Sequence, residues 1–383
     1  MRYRLTVLTP TLVGDGDRLS PIDYMLWRDQ INVLDQPRIF KLLSRGPRLE
    51  GYLGQLRKAT KLDFASWGGF AQNYADRRIP FEDPAYTPYW NNALAESLSI
   101  PIFAASQDGP FIPGSAIKGV LRTAYVFSRV KPGPIKELAE KLASGERLPK
   151  RPAETMEQHT AGSGGSDRMR AVSIGDSGHS GRENFKIYLL RLSTLVSRGP
   201  QQYSLAWKQT GRGSVDGNRP EASTPMFAEM ASPGTTFEGD WRENDFLNRE
   251  EVRQALRWNQ PVTKQTLFEA ANAYAAKQLE LHAQYAKWAG LDALAASVAD
   301  LSARAEKAKA NGGCLLAMGW GAGFLSKSTA IGIDEADHRK ALGALPFYQR
   351  AIQSGLPFPK TRRIVFLKNR PATLPGWVEL QAE

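Results

Sequence analysis

Phe111-Ile112-Pro113-Gly114-Ser115-Ala116-Ile117-Lys118-Gly119-Val120-Leu121-Arg122 is the stretch around which the chain organises itself. Ser115 is a good N-cap residue standing just after a Pro113-Gly114 turn. Ile117, Val120, Leu121, Ala124 and Tyr125 then recur at helical spacing, which predicts a helix with one apolar face. Lys118 and Arg122 lie four apart and share a different face. A helix N-terminus offers free N–H groups and a favourable dipole to an anion, and a Pro-Gly turn lets a ligand come close to the backbone. Ser115, Lys118 and Arg122 are therefore candidate phosphate contacts. An ordinary capped helix with solvated basic residues reads the same way.

Towards the N-terminus, Tyr3, Leu5 and Val7 alternate within Arg2 to Leu8, which predicts a strand. A loop with Gly14 and Gly16 follows, then a short strand at Ile31 to Leu34. Asp35 and Pro37 open a helix whose apolar face is Ile39, Leu42 and Leu43, and a second helix is expected over Leu49 to Leu62. On the C-terminal side, Gly145 to Arg170 reads as a mobile loop because of Pro149, Pro152 and the tract Gly162-Ser163-Gly164-Gly165-Ser166. Strands are expected at Val172 to Ile174, Lys186 to Leu192, Met226 to Met230 and Thr236 to Trp241. The last two flank a Pro233-Gly234 turn, and Gln209 to Pro225 reads as another loop. From Thr263 the period becomes helical. Thr266 and Glu269 have capping-box spacing, and Leu267, Ala271, Tyr274, Leu281, Tyr285 and Trp288 mark one face. A second helix from about Asp292 ends at Asn311-Gly312-Gly313, giving an inserted helical hairpin. Ile364 to Leu367 closes the chain with a strand. The 383 residues divide in this reading into a mixed α+β unit over 1–240 and a second unit over 241–383 holding the hairpin, a glycine-rich loop and a basic tail.

Charge narrows the function. The net charge is +11, from 50 Lys and Arg against 39 Asp and Glu. Gly109 to Lys136 holds five basic residues and no acid, and Arg339 to Pro371 holds eight and no acid. Those thirteen charges exceed the net total, so the remainder is slightly acidic. Two purely basic segments point to a polyanion, most simply nucleic acid; solubilising surfaces usually mix both signs.

Several chemistries are excluded or poorly supported. A single cysteine, Cys314, forms no intrachain disulfide and no zinc ribbon, and its apolar setting reads as packing. His159, His179, His282 and His338 make no H-x-x-x-H pair. Gly319-Trp320-Gly321-Ala322-Gly323-Phe324-Leu325-Ser326-Lys327 lacks the glycine directly before the lysine that a phosphate loop needs, and its spacing is wrong for a dinucleotide fingerprint. What remains is a glycine run with an aromatic and a lysine, suited to close approach of a sugar-phosphate chain or to a tight turn packed on the core. Asp15, Asp17 and Asp23 are candidates for metal binding or RNA cleavage, without a visible base partner. No stretch approaches ~18 apolar residues, and the N-terminus lacks a signal-peptide apolar run, so a cytoplasmic protein without membrane contact is expected. No cofactor and no metal are expected.

These segments together resemble the RAMP superfamily of CRISPR proteins. Leu8-Thr9-Pro10-Thr11-Leu12-Val13-Gly14-Asp15-Gly16 is similar to its opening, the stretch at 111–122 to its central motif, and Gly319 to Ser328 to its glycine-rich loop. Leu19-Ser20-Pro21-Ile22-Asp23-Tyr24 and Phe358-Pro359-Lys360-Thr361-Arg362-Arg363 look like the Csm subunit that caps the crRNA 3′ end in type III-A effector complexes. The resemblance implies a ferredoxin-like (RRM-like) core with insertions and a non-catalytic subunit that binds the 3′ region of single-stranded guide RNA. It implies as partners the other Csm subunits, above all the filament backbone subunit, and host nucleases that mature the crRNA 3′ end. The implied RNA-binding positions are Ser115, Lys118, Arg122, Gly319, Gly321, Gly323, Lys327, Lys360, Arg362 and Arg363. Filament-forming relatives cut target RNA with an acidic residue of an early loop; the acids at 15 to 23 sit differently, so no catalytic residue is assigned. The alternative is a RAMP-type endoribonuclease processing precursor crRNA, with His159 or His179 beside a lysine.

Overall fold

Tyr3, Leu5 and Val7 are buried while Arg2 and Arg4 are exposed, as a strand with one covered face requires. In the computed structural model, which describes all residues except 45, 47, 59–72, 94, 145–150, 152, 210–214 and 333–334, this Arg2–Val7 strand is the middle of a five-stranded sheet. The order is Cys314–Ala317, Trp377–Ala382, Arg2–Val7, Thr236–Glu243, Val172–Ser177. Every neighbouring pair is antiparallel, with Leu5 opposite Phe237 on one side and Leu380 on the other. A second sheet is built on the long Phe185–Gly199 strand, which pairs with Gln202–Trp207, Met226–Ala231 and Thr361–Leu367; Arg370–Thr373 extends it. Tyr24–Trp27, Gln30–Leu34 and Ala75–Pro80 make a smaller three-stranded sheet. Helices and antiparallel sheets in one chain make the α+β class expected from the residue patterns.

The Phe185–Gly199 strand outruns its predicted end at Leu192 because its polar residues are buried and bonded. Ser193 Oγ donates to Arg362 O at 3.0 Å and meets Tyr285 Oη at 2.8 Å. The strands flanking Pro233-Gly234 do not pair with each other. Met226–Ala231 joins the second sheet and Thr236–Glu243 the first, so this turn carries the chain between sheets. Residue 240, the boundary read from the sequence, lies inside Thr236–Glu243, and both large sheets take strands from either side of it.

The helical hairpin, Lys264–Ala289 and Asp292–Ala310, is no peripheral insertion. Leu267, Ala271 and Tyr274 join the core formed with Leu5, Ile117, Leu121 and Val378. One turn on, Ala275, Leu279 and Tyr285 join a second core with Leu189, Ile364 and Trp377, covered in turn by Val298 and Leu301. The hairpin thus bridges both cores. Each fully buried large apolar side chain of this kind contributes about 1.5–3 kcal/mol. Its cap is Thr263, which exchanges hydrogen bonds with Thr266, three residues ahead of the predicted Thr266–Glu269 box.

Two loops hold more structure than expected. Glu154–Ala161 is a helix with Met156 and Ala161 buried, and the carboxylate of Asp167 accepts from Met169 N–H to start a short turn. Residues 145–150 and 152 of that predicted loop, Pro149 and Pro152 among them, lie outside the described residues. In the 209–225 loop, Ser223 is buried against Arg191, which donates to its carbonyl and hydroxyl. Of the face predicted on the Gln36–Leu43 helix, Ile39 and Leu43 are buried but Leu42 is half exposed. The next helix spans Arg48–Lys58, and the rest of its predicted length lies outside the described residues. Among the described residues no helix is long and apolar enough to cross a membrane.

His282, on the first hairpin helix, is buried and accepts from Arg362 Nε at 3.0 Å through Nδ1. Burial, followed by the Arg362 charge, holds its pKa well below the usual value. The unfolded chain therefore takes up a proton near pH 6.5 that the folded chain refuses. Stability is expected to fall as pH drops below 6.5, by up to about 1.4 kcal/mol per pH unit from this group. Urea midpoints between pH 7 and 5 test this. Wild type should lose more than His282→Gln; equal slopes would contradict the assignment.

Candidate nucleic-acid interface

Three segments singled out in the sequence meet around one cleft of about 470 Å3. The first loop contributes Leu12, Val13, Gly14, Gly16, Asp17 and Arg18, the central-motif helix contributes Ser115, Gly119 and Thr123, and the glycine-rich loop contributes Gly319, Trp320, Ser326 and Lys327. The contact between the two loops depends on Gly319. Trp320 N–H donates to Leu12 O at 2.7 Å, and a Cβ on Gly319 would lie 2.1 Å from that same oxygen. Gly319 also has φ +80°, in the left-handed region. Its glycine is therefore required by the protein's own packing. Gly321 likewise faces Pro375, whereas Gly323 opens onto space, its nearest contact being Gly321 O at 3.9 Å.

The central-motif helix runs Gly114–Phe127, with Pro113 as N-cap and no side-chain cap. Ser115 therefore stands in the first turn, exposed at the cleft, and is not the cap predicted for it. The helix start is not an open anion site either: Asp176 Oδ1 accepts from Gly114 N–H at 2.8 Å. Lys118 reaches inward and donates to Val172 O at 2.7 Å, and burial lowers its pKa. Arg122 holds both oxygens of Asp167 at 2.7 and 2.9 Å. These two cations share a helix face, as their spacing predicts, but both are engaged within the chain.

Lys327 is exposed at the cleft, and Arg18 stands exposed at its rim beside Asp17. The predicted tail residues fall elsewhere. Gly321, Gly323, Arg362 and Arg363 line a smaller cavity of about 120 Å3 beyond the glycine-rich loop. Arg363 lies over the Trp320 ring at 5.2 Å. Arg362 is 8% exposed, donates to Pro359 O and Thr361 O, and stacks on Tyr285 at 4.5 Å. Burial brings its pKa down to about 10. Lys360 is half buried; its pKa is lowered by that burial and by the nearby positive charge of Lys208. Sequence reasoning missed Arg18. The available signal was a lone cation among Asp15, Asp17 and Asp23.

The carboxylates of Asp15 and Asp23 serve local turns: Asp15 accepts from Asp17 N–H at 3.0 Å and Asp23 from Ser20 N–H at 2.7 Å. No group of three or more His, Cys, Asp or Glu is placed to hold a metal among the described residues. His159 lies on the Glu154–Ala161 helix, His282 in the core, and His179 Nε2 lies 2.8 Å from Ser106 Oγ. Cys314 is fully buried, and burial raises its thiol pKa.

The family model of the RAMP superfamily matches residues 4–326, a span that contains most of the first strand, the central motif and most of the glycine-rich loop. The chain belongs to the RAMP superfamily. No curated protein matches it. Solved structures do. One chain of a Csm–crRNA–target RNA ternary complex of a type III-A CRISPR-Cas system is similar to this RAMP chain with a TM-score of 0.67 and 19% identity, covering 100% of both chains. Csm5 of T. onnurineus is similar with a TM-score of 0.58 and 17% identity, covering 98% of this chain and 99% of that one. At these identities the RAMP chain shares their fold.

Proposed function

We propose that this RAMP protein is a non-catalytic RNA-binding subunit of a type III-A CRISPR effector complex, holding the 3′ part of the crRNA and capping the filament of Csm subunits. The observation that carries this reading is the convergence of the first loop, the central motif and the glycine-rich loop on one cleft with Arg18, Ser115 and Lys327 exposed around it. Support for the assembly comes from the shared fold over the full chain with a member of a Csm–crRNA–target RNA complex. In this reading Arg18 and Lys327 meet phosphates, Ser115 supplies a hydroxyl donor, and Trp320, backed by Arg363, offers a flat face to a base. Contacts of this kind accept any guide, because phosphates carry no direct sequence information. The filament backbone subunit and nucleases that trim the crRNA 3′ end belong to the same proposal.

The test is the salt dependence of single-stranded RNA binding. Log affinity is expected to fall linearly with log salt, by about 0.7 per phosphate neutralised. A flat response would remove the polyanion reading. The isolated chain is also expected to leave repeat RNA intact with and without divalent metal. The endoribonuclease alternative draws on the His179–Ser106 pair. RNA cleavage that disappears in His179→Ala would establish that alternative instead.

A further inference from the structure

A second cavity, of about 510 Å3, lies between the first hairpin helix, the glycine-rich loop and the segment from Glu335 to Pro359. That is within the range of about 300–1,000 Å3 usual for small-molecule sites. Flat side chains line it from four separate parts of the chain. Tyr203 and Trp288 meet edge to face at 5.4 Å, and Phe324 and Phe358 at 5.0 Å. All four are only partly covered, so their surfaces are available.

The charges around the cavity are unbalanced in its depth. Lys277 is paired with Glu280, and Glu335 stands exposed at the rim. Arg362 lines the floor at 8% exposure, and no carboxylate pairs with it among the described residues. Arg339 is half buried and donates to the carbonyls of Ile352 and Leu356, at 3.3–3.5 Å. A guanidinium held away from water with no carboxylate partner among the described residues, as Arg362 is, favours an anion that reaches it. A flat apolar lining with cations at its floor suits a base and its phosphate.

The glycine-rich loop is the shared wall. Gly319, Trp320 and Lys327 face the cleft, while Phe324 and Leu325 face this cavity. Successive residues of one loop, Leu325 and Ser326, thus reach the cavity and the cleft respectively. We propose that the cavity receives one unstacked nucleotide of the bound RNA, its base against Trp288 and Phe358 and its phosphate towards Arg339 and Arg362. This rests on the RNA-binding reading above. Stacking pockets tolerate every base, since each has a π-face.

The experiment uses the shortest single-stranded RNA that binds the full chain at full affinity. One abasic nucleotide is walked along it, and binding is measured by fluorescence anisotropy for wild type, Trp288→Ala and Phe358→Leu. The leucine keeps apolar volume and removes the flat face. One abasic position is expected to weaken wild-type binding about tenfold and to cost nothing further in either variant. RNA binding intact but with no such position, or with equal losses in wild type and both variants, overturns the pocket while leaving the RNA-binding reading in place. Absence of RNA binding by wild type overturns both. AMP is the free-nucleotide arm. AMP that competes with the RNA supports the proposal, whereas AMP that binds RNA-saturated protein and is lost in Trp288→Ala overturns it in favour of a free nucleotide.

Discussion

Gly319→Val is expected to destabilise the chain by about 2–5 kcal/mol, enough to threaten recovery of folded protein. Two costs add at this position. A side chain held at φ +80° pays roughly 1–2 kcal/mol for the left-handed conformation. The new Cβ would also lie 2.1 Å from Leu12 O, a backbone atom that cannot swing away. Relieving that overlap means separating the loops and losing the Trp320 N–H bond to Leu12 O, with overpacking typically costing about 1–3 kcal/mol. Gly323→Ala is the control. It has φ +85° but no contact closer than 3.9 Å, so about 1–2 kcal/mol is expected. Urea unfolding of both variants measures the difference. Equal midpoint losses would mean that the clasp between first loop and glycine-rich loop does not hold the cleft together.

The second large effect is on RNA. Arg18→Glu combined with Lys327→Glu reverses the exposed cations of the cleft and is expected to weaken single-stranded RNA binding on the order of 100-fold at low salt. The salt slope should shrink by about 1.4, the share of two phosphates at about 0.7 each. Stability should change by less than about 0.5 kcal/mol, since both side chains are exposed. Arg122→Ala makes the comparison informative. Arg122 is bound to Asp167, so its loss is expected to cost up to about 1 kcal/mol of stability and to leave RNA affinity within a factor of about two. If Arg122→Ala weakened RNA binding as much as the cleft reversals, the basic face of the central-motif helix would be the RNA contact instead.

Much of the fold is legible in the residue patterns, because periodicity reports which faces are covered. Tyr3, Leu5 and Val7 alternate and are buried; Ile117, Leu121, Ala124 and Tyr125 follow a helical period and are buried. What periodicity cannot report is which sheet receives a strand. Met226–Ala231 and Thr236–Glu243 look like neighbours in sequence and belong to different sheets, because pairing is decided by long-range partners. The hairpin reads as an insertion because its helices carry no motif, yet the buried face of its first helix joins the two cores.

The site is legible as segments and less so as side chains. The first loop, central motif and glycine-rich loop stand about 100 and 200 residues apart in sequence and converge on the cleft. Charge alone does not separate a cation that faces solvent from one that serves the fold. Lys118 and Arg122 read as phosphate contacts, yet a carbonyl and a carboxylate respectively engage them. Those partners, Val172 and Asp167, are 45 or more residues away from the cations they bind. Arg18 is obscured in the opposite way, by acidic neighbours that hide a cation from a count of charge.

The most direct measurement of the central claim is photo-crosslinking of 4-thiouridine-substituted single-stranded RNA to the full chain, with the attached peptides identified by mass spectrometry. Crosslinks are predicted on Leu12–Arg18, on the first turns of the Gly114–Phe127 helix and on Gly319–Lys327. Crosslinks confined to other surfaces, such as the exposed basic face carrying Lys340 and Arg350, with none in the cleft, would contradict it.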